Sequence, residues 1–119
     1  MAGHLLFPKI DEDPVPFSNF LLESVLREKL GFQGVVVSDD LNMKAIKESA
    51  SSIQDAVVRA FGAGIDVLMI VGPVESQRKG YDALLAAVHD GTVSRDRVDQ
   101  AVQRILSAKQ KIKTGGCLE

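Results

Sequence analysis

The run GVVVSDDLNM, residues 34–43, carries an apolar segment straight into Ser38, Asp39 and Asp40 before turning polar. Taking an ionised carboxylate out of water is costly unless it is paired or hydrogen-bonded. Two of them where a strand leaves the core are therefore solvated, capping the next helix, or engaged in chemistry. Successive side chains of a strand point to opposite faces, so Asp39 and Asp40 cannot both aim at one reacting atom while the strand geometry persists. Any reaction served here takes one carboxylate from this run and a partner from another strand end. The plain alternative is that one of the aspartates, or Asn42, caps a helix beginning near Leu41. His4, inside the apolar run HLLF, is either a hydrogen-bonded core histidine or a group facing a site. His89 lies far from it beside Asp90-Gly91 and reads as a surface residue at a helix end. No pair of histidines stands four apart, so the spacing supports no zinc site.

The elements that must position these groups follow from periodicity. Short apolar runs near 4–7, 35–38 and 67–71 alternate with helical patterns, the signature of βα repetition and a parallel sheet. Ser18 reads as the N-cap of a helix with Leu22, Val25, Leu26 and Leu30 on one face, stopped by Gly31. A short helix is expected over 41–47. A longer one begins at Ser52, which forms with Asp55 an acidic variant of the capping box, and ends at Gly62 and Gly64. Tyr81, Leu84, Leu85 and Val88 mark a further helix ending at Gly91, and a last one starts at Ser94. Parallel βα units with right-handed crossovers make a small open sheet or an arc of a closed barrel. An isolated arc leaves strand edges unpaired, so the chain reads as part of something larger.

Composition excludes several classes. With 45% hydrophobic and 25% charged residues the chain is an ordinary globular one, and its net charge of −2, with acids and bases interleaved, carries no footprint for nucleic acid. No apolar run is long enough to span a membrane, so no membrane partner is expected. Cys117 is the only cysteine, which rules out an internal disulfide framework and a thiolate metal cluster. It falls in a tail, 114–119, whose final Leu118-Glu119 has the look of a cloning remnant.

The segments GFQGVVVSDDLNMKAI, AGHLLFPKID, LREKLGF, AVVRAFGAGIDVLMIVG and AVQRILSAKQK together resemble the C-terminal part of the catalytic barrel of family 3 glycoside hydrolases of the β-N-acetylhexosaminidase type. The resemblance covers nearly the whole chain. It implies an α/β fold, a partial TIM-type (β/α)8 barrel over 1–113 supplying roughly strands six to eight. It makes Asp39, directly after the serine, the nucleophile, with Ser38 and Asp40 supporting it or capping a helix, and His4 and Met43 lining the substrate pocket. The implied substrate is terminal GlcNAc of peptidoglycan fragments or chitooligosaccharides, with no metal and no organic cofactor. The Lys-His-Phe-Pro-Gly-His-Gly motif that supplies the general acid and base in that branch does not occur in this sequence, so the chain alone is expected to be inactive. Pairing with the missing barrel half, or with a second copy, is expected. A non-catalytic, self-associating half-barrel is the alternative. A receiver-like signalling module fits poorly, because the third apolar run ends in Val71-Gly72-Pro73 with no carboxylate. The compartment is left open, with the cytoplasm favoured and secretion allowed.

Overall fold

The computed structural model of the chain describes residues 1–113; the tail 114–119, with Cys117 and Leu118-Glu119, lies outside them. Its sheet pairs β1, Val37–Asp40, in parallel with β2, Val67–Met69. Around it run a 3-10 turn at Val15–Phe17, a wide helix of π type at Phe20–Lys29, and the α-helices α1 (Lys44–Lys47), α2 (Ile53–Ala63), α3 (Val74–His89) and α4 (Arg95–Lys113). The α/β order is the expected one, but the strands differ in extent.

The run 4–7 is not a strand. Ala2 makes a single parallel bridge to Ser38, with Ala2 N–H donating to Val37 O at 2.7 Å and Asp39 N–H to Ala2 O at 3.0 Å. The chain then leaves the sheet: Leu5, Leu6 and Phe7 are exposed, and Ile10 N–H turns back to Phe7 O around Pro8. With no strand beside them these apolar side chains have no face to pack on, and proline removes a ladder donor. β1 starts later than the run 35–38: Val36 N–H donates to the Asp66 carboxylate at 2.9 Å, while Val36 O accepts from Val67 N–H at 3.1 Å. β2 stops at Met69 rather than at 71, where side chains of β1 replace the ladder acceptors.

Helix ends follow local chemistry. Ser18 Oγ accepts from Leu21 N–H at 3.0 Å and donates to Asp11 Oδ2 at 2.5 Å, tying the preceding loop to the π-helix. That hydrogen bond, ahead of one from the Asp13 amide, holds the Asp11 carboxyl below its ordinary value. In the wide turn, where Leu30 N–H reaches Val25 O, Leu22 and Arg27 stand five apart and both are buried. Leu30, expected on the apolar face of an ordinary α-helix, is exposed instead. Ser52 Oγ caps α2 through Asp55 N–H at 3.1 Å, and the Asp55 carboxylate reaches back to Ser51 N–H at 2.9 Å, one residue earlier than in a standard capping box. Gly64 closes α2 with φ 128°, a conformation that strains any residue with a Cβ, and a Cβ there would also lie 3.1 Å from Leu22 Cβ. Ser94 Oγ accepts from Arg97 N–H at the start of α4.

Helix α2 is the middle of the core. Its Ala56, Val57 and Ala60 pack with Leu22, Val36, Leu41, Ile46 and Ile65. Phe61, on the same helix, gathers Ala87 of α3, Val93 and Ala101 of α4 into a second cluster. Arg59 ties α2 to the N-terminal loop, bonding Asp13 at 2.7 Å and Ser49 O at 2.7 Å while lying 4.3 Å from the Phe17 ring centroid.

Between the clusters lies Asp66, whose side chain is wholly buried. Oδ2 accepts from Arg27 at 2.7 Å and from Val36 N–H, and Oδ1 meets Arg104 at 3.0 Å and Arg97 at 3.3 Å. The arginines are tied further: Arg27 donates to Phe32 O and Gly34 O, and Arg97 to Phe61 O and Ile65 O. Burial pushes the Arg97 guanidinium below its ordinary value; Asp66 opposes that shift and the neighbouring Arg104 adds to it. Removing one partner of a buried ion cluster strands the others. Asp66→Ala is therefore expected to lower unfolding stability by about 3–5 kcal/mol. Arg104→Met, which leaves Arg27 and Arg97 on the carboxylate, should cost markedly less. Urea unfolding of the variants decides the order.

Candidate functional site

The C-terminal ends of β1 and β2 lie side by side, where catalytic groups sit in parallel α/β proteins. The pairing is irregular: Val37 faces Val67 and Asp40 faces Met69, so β1 advances three residues while β2 advances two. An extra residue in one strand bends it and re-aims its side chains. Ser38, fully buried, accepts through Oγ from Met69 N–H at 2.9 Å. Asp40 Oδ1 accepts from Val71 N–H and Asn42 N–H, each at 2.9 Å. Both side chains thus turn toward β2. Among the described residues the Asp39 carboxylate receives one hydrogen bond, to Oδ1 from Asp40 N–H at 2.7 Å, and it is half-buried. The two carboxylates have different surroundings, as alternation along the strand requires.

Helix capping is not what these groups do. Helix α1 begins after Met43 with no side-chain cap, and it starts three residues later than expected because Leu41 N–H is held by Met69 O and Asn42 lies in the turn made by Asp40. Asn42 Nδ2 donates to Val71 O at 3.0 Å, so its side chain crosses to the loop after β2 rather than to the helix.

His4 follows Ala2 by two residues, and the parallel bridge of Ala2 with Ser38 carries it toward the same end of the sheet. Its Nε2 is buried and has no hydrogen-bond partner among the described residues, unlike a satisfied core histidine. Met43 is 45% exposed beside the aspartates. The larger hollows lie elsewhere: one of about 640 Å³ between β2 and α3, lined by Leu68, Ile70, Tyr81 and Leu84, and one of about 460 Å³ between the N-terminal segment and the π-helix. Both are open and apolar, so volume alone would point away from the carboxylates. Among the described residues no group of three His, Cys, Asp or Glu side chains could hold a metal ion, and no helix is long and apolar enough to cross a membrane.

Asp66, within the Gly-x-Asp of the segment that carries the family resemblance, was not among the expected site residues, and neither were the bonds of Asn42. The local signal of Asp66 is a charged residue directly before the run VLMIV. Its arginine partners lie 31 to 39 residues away, and no local pattern announces them.

Two chemically distinct carboxylates thus stand at the C-terminal end of one strand of a parallel α/β chain. Residues 1–108 match the family described as the glycosyl hydrolase family 3 N terminal domain, and the chain belongs to that family. It is 42% identical over 73 residues to a beta-hexosaminidase of Aromatoleum aromaticum, covering 59% of this chain and 19% of that protein. It is 31% identical to a beta-N-acetylglucosaminidase/beta-glucosidase of Cellulomonas fimi, over 94% of this chain and 21% of the relative. Among solved structures, a glycoside hydrolase family 3 beta-N-acetylglucosaminidase from a Paenibacillus species superposes with a TM-score of 0.87 at 34% identity, over all of this chain and 24% of that one. The chain thus spans about a fifth to a quarter of the length of these relatives.

The unpartnered His4 nitrogen makes a stability prediction. A buried polar atom without a partner costs about 1–3 kcal/mol, so His4→Leu is expected to leave the unfolding midpoint in urea unchanged or raise it. A clear fall would show that the imidazole makes a bond worth keeping.

Proposed function

We propose that the chain is the nucleophile-bearing arc of a retaining β-N-acetylglucosaminidase. Asp39 attacks the anomeric carbon of a terminal GlcNAc unit, the aglycone leaves with a proton from an acid, and water then cleaves the glycosyl ester. The supporting observation is the difference between the two aspartates: Asp40 Oδ1 is committed to backbone amides, whereas Asp39 keeps capacity for a substrate. A retaining mechanism needs a second group about 5–5.5 Å from the nucleophile. Asp40 is poorly suited to that part, so the acid and base come from outside this chain. Met43 and His4 line the pocket, and peptidoglycan fragments or chitooligosaccharides are the substrate class. The names of the relatives support the sugar, one of them allowing glucosides as well. The test uses the full-length protein and a fluorinated GlcNAc donor that traps the glycosyl ester, followed by peptide mapping. The label is expected on Asp39, and a label on Asp40 would overturn the assignment. The 119-residue chain alone should give no turnover of an aryl β-N-acetylglucosaminide.

The arc reading also accounts for the exposed apolar surface. Leu5, Leu6 and Phe7 lie on the N-terminal side, and Val71, Val74, Tyr81 and Leu106 around α3 and α4 lie on the other. In a barrel further strands and helices cover both sides. Alone, the chain offers water two apolar flanks and an open β2 edge, and it associates with a second copy or with the remaining arc. Light scattering of the isolated chain over a dilution series is expected to show a dimer or larger species, with an unfolding midpoint that rises with concentration. A concentration-independent monomer would remove the argument.

A further inference from the structure

The hydrogen bonds at the ends of β1 and β2 are made largely by side chains, and they surround Asp39. Ser38 Oγ holds Met69 N–H, Asp40 Oδ1 holds Val71 N–H, and Asn42 Nδ2 returns to Val71 O. One main-chain bond, Leu41 N–H to Met69 O at 2.9 Å, lies between them. On the opposite edge Asp39 N–H is bonded to Ala2 O. The backbone at 38–40 is therefore gripped from both sides just where the strand carries its extra residue. Gly72, with φ 123°, brings the loop after β2 close enough that a Cβ would lie 3.0 Å from Asn42 Nδ2. The loop conformation and the clasp thus fit each other.

We propose that Asp40, through the two amides it binds, is the positioning residue for Asp39, locking the irregular end of β1 to the loop after β2 so that the Asp39 carboxylate is held in one direction. This rests on the reading of Asp39 as nucleophile. The clasp depends on an acceptor oxygen rather than on charge, because both partners are neutral backbone amides. Asparagine keeps that oxygen, whereas alanine loses it. A misplacement of about 1 Å at a reacting group can cost on the order of 10²-fold in rate, so a loosened clasp should act on the chemical step more than on binding.

The experiment has two arms. In the 119-residue chain, hydrogen exchange at the Val71 and Asn42 amides should quicken in Asp40→Ala and stay near the native rate in Asp40→Asn. In the full-length protein, with active sites counted by the trapped glycosyl ester, Asp40→Ala should lower kcat by on the order of 10²-fold while KM moves much less. Asp40→Asn should recover most of kcat. Should Asp40→Ala fail to fold, Asn42→Ala, which removes only the bond to Val71 O, should give a smaller fall in kcat with the same split from KM. A label on Asp39 together with unchanged kcat in Asp40→Ala, or an Asn variant as slow as the Ala one, overturns the proposal while leaving the nucleophile assignment intact. A label on another residue overturns that assignment and the proposal with it, and the exchange rates still report on the clasp by themselves.

Discussion

The constraint on which the rest of the structure depends is the burial of the Asp66 carboxylate. An anion removed from water must be compensated within the protein, and here the compensation comes from Arg27, Arg97, Arg104 and the amide of Val36. The four partners come from three parts of the chain. Arg27 comes from the π-helix, Arg97 and Arg104 from α4, and Val36 from the segment entering β1. One side chain thus fixes the last helix, the first helix and the central strand against the start of β2. The side chains of Arg97 and Phe61 add to this, since the guanidinium lies 4.5 Å from the ring centroid while bonding the Phe61 carbonyl. Such a cluster is not the cheapest way to fill a core. It does specify register, because few alternative packings could bring the same groups to one carboxylate.

From that anchored end the strands run to a second, different arrangement. At the Asp66 end, a side chain of β2's lead-in residue accepts from the β1 side; at the far end, side chains of β1 accept from β2. Between them the sheet has little regular ladder. Substituting side-chain oxygens for carbonyls allows the strand to carry an extra residue without leaving buried amides unpaired. It also separates the work of neighbouring acids, leaving Asp40 in the architecture and Asp39 open to other uses.

The relatives are about three to five times as long as this chain, and its small sheet has apolar flanks. The hollows beside β2 and beside the π-helix are both open and apolar. The conformation of residues 4–7 belongs to the same account, since a run of Leu, Leu and Phe has the composition of a strand and lacks the neighbours that would make it one.

Much of this was legible in the sequence, for local reasons. The α/β order, Ser18 and Ser52 as caps, Gly64 as a terminator and the position of the aspartates at a strand end all depend on residues close together in the chain, whose preferences act over one turn or one strand. The proposal of Asp39 as the nucleophile rests on the family resemblance. Tertiary structure alone decided the rest. The π-type turn buries Arg27, whose guanidinium bonds a carboxylate 39 residues away, and leaves Leu30 exposed. The sequence left Ser38 and Asp40 open between support and capping and offered Asn42 only as a cap, and their hydrogen-bond partners became visible only with β2 set beside β1. A hydroxyl, a carboxylate or an amide acquires its function from the group it faces, and a contact spanning some 30 residues leaves no periodicity to read.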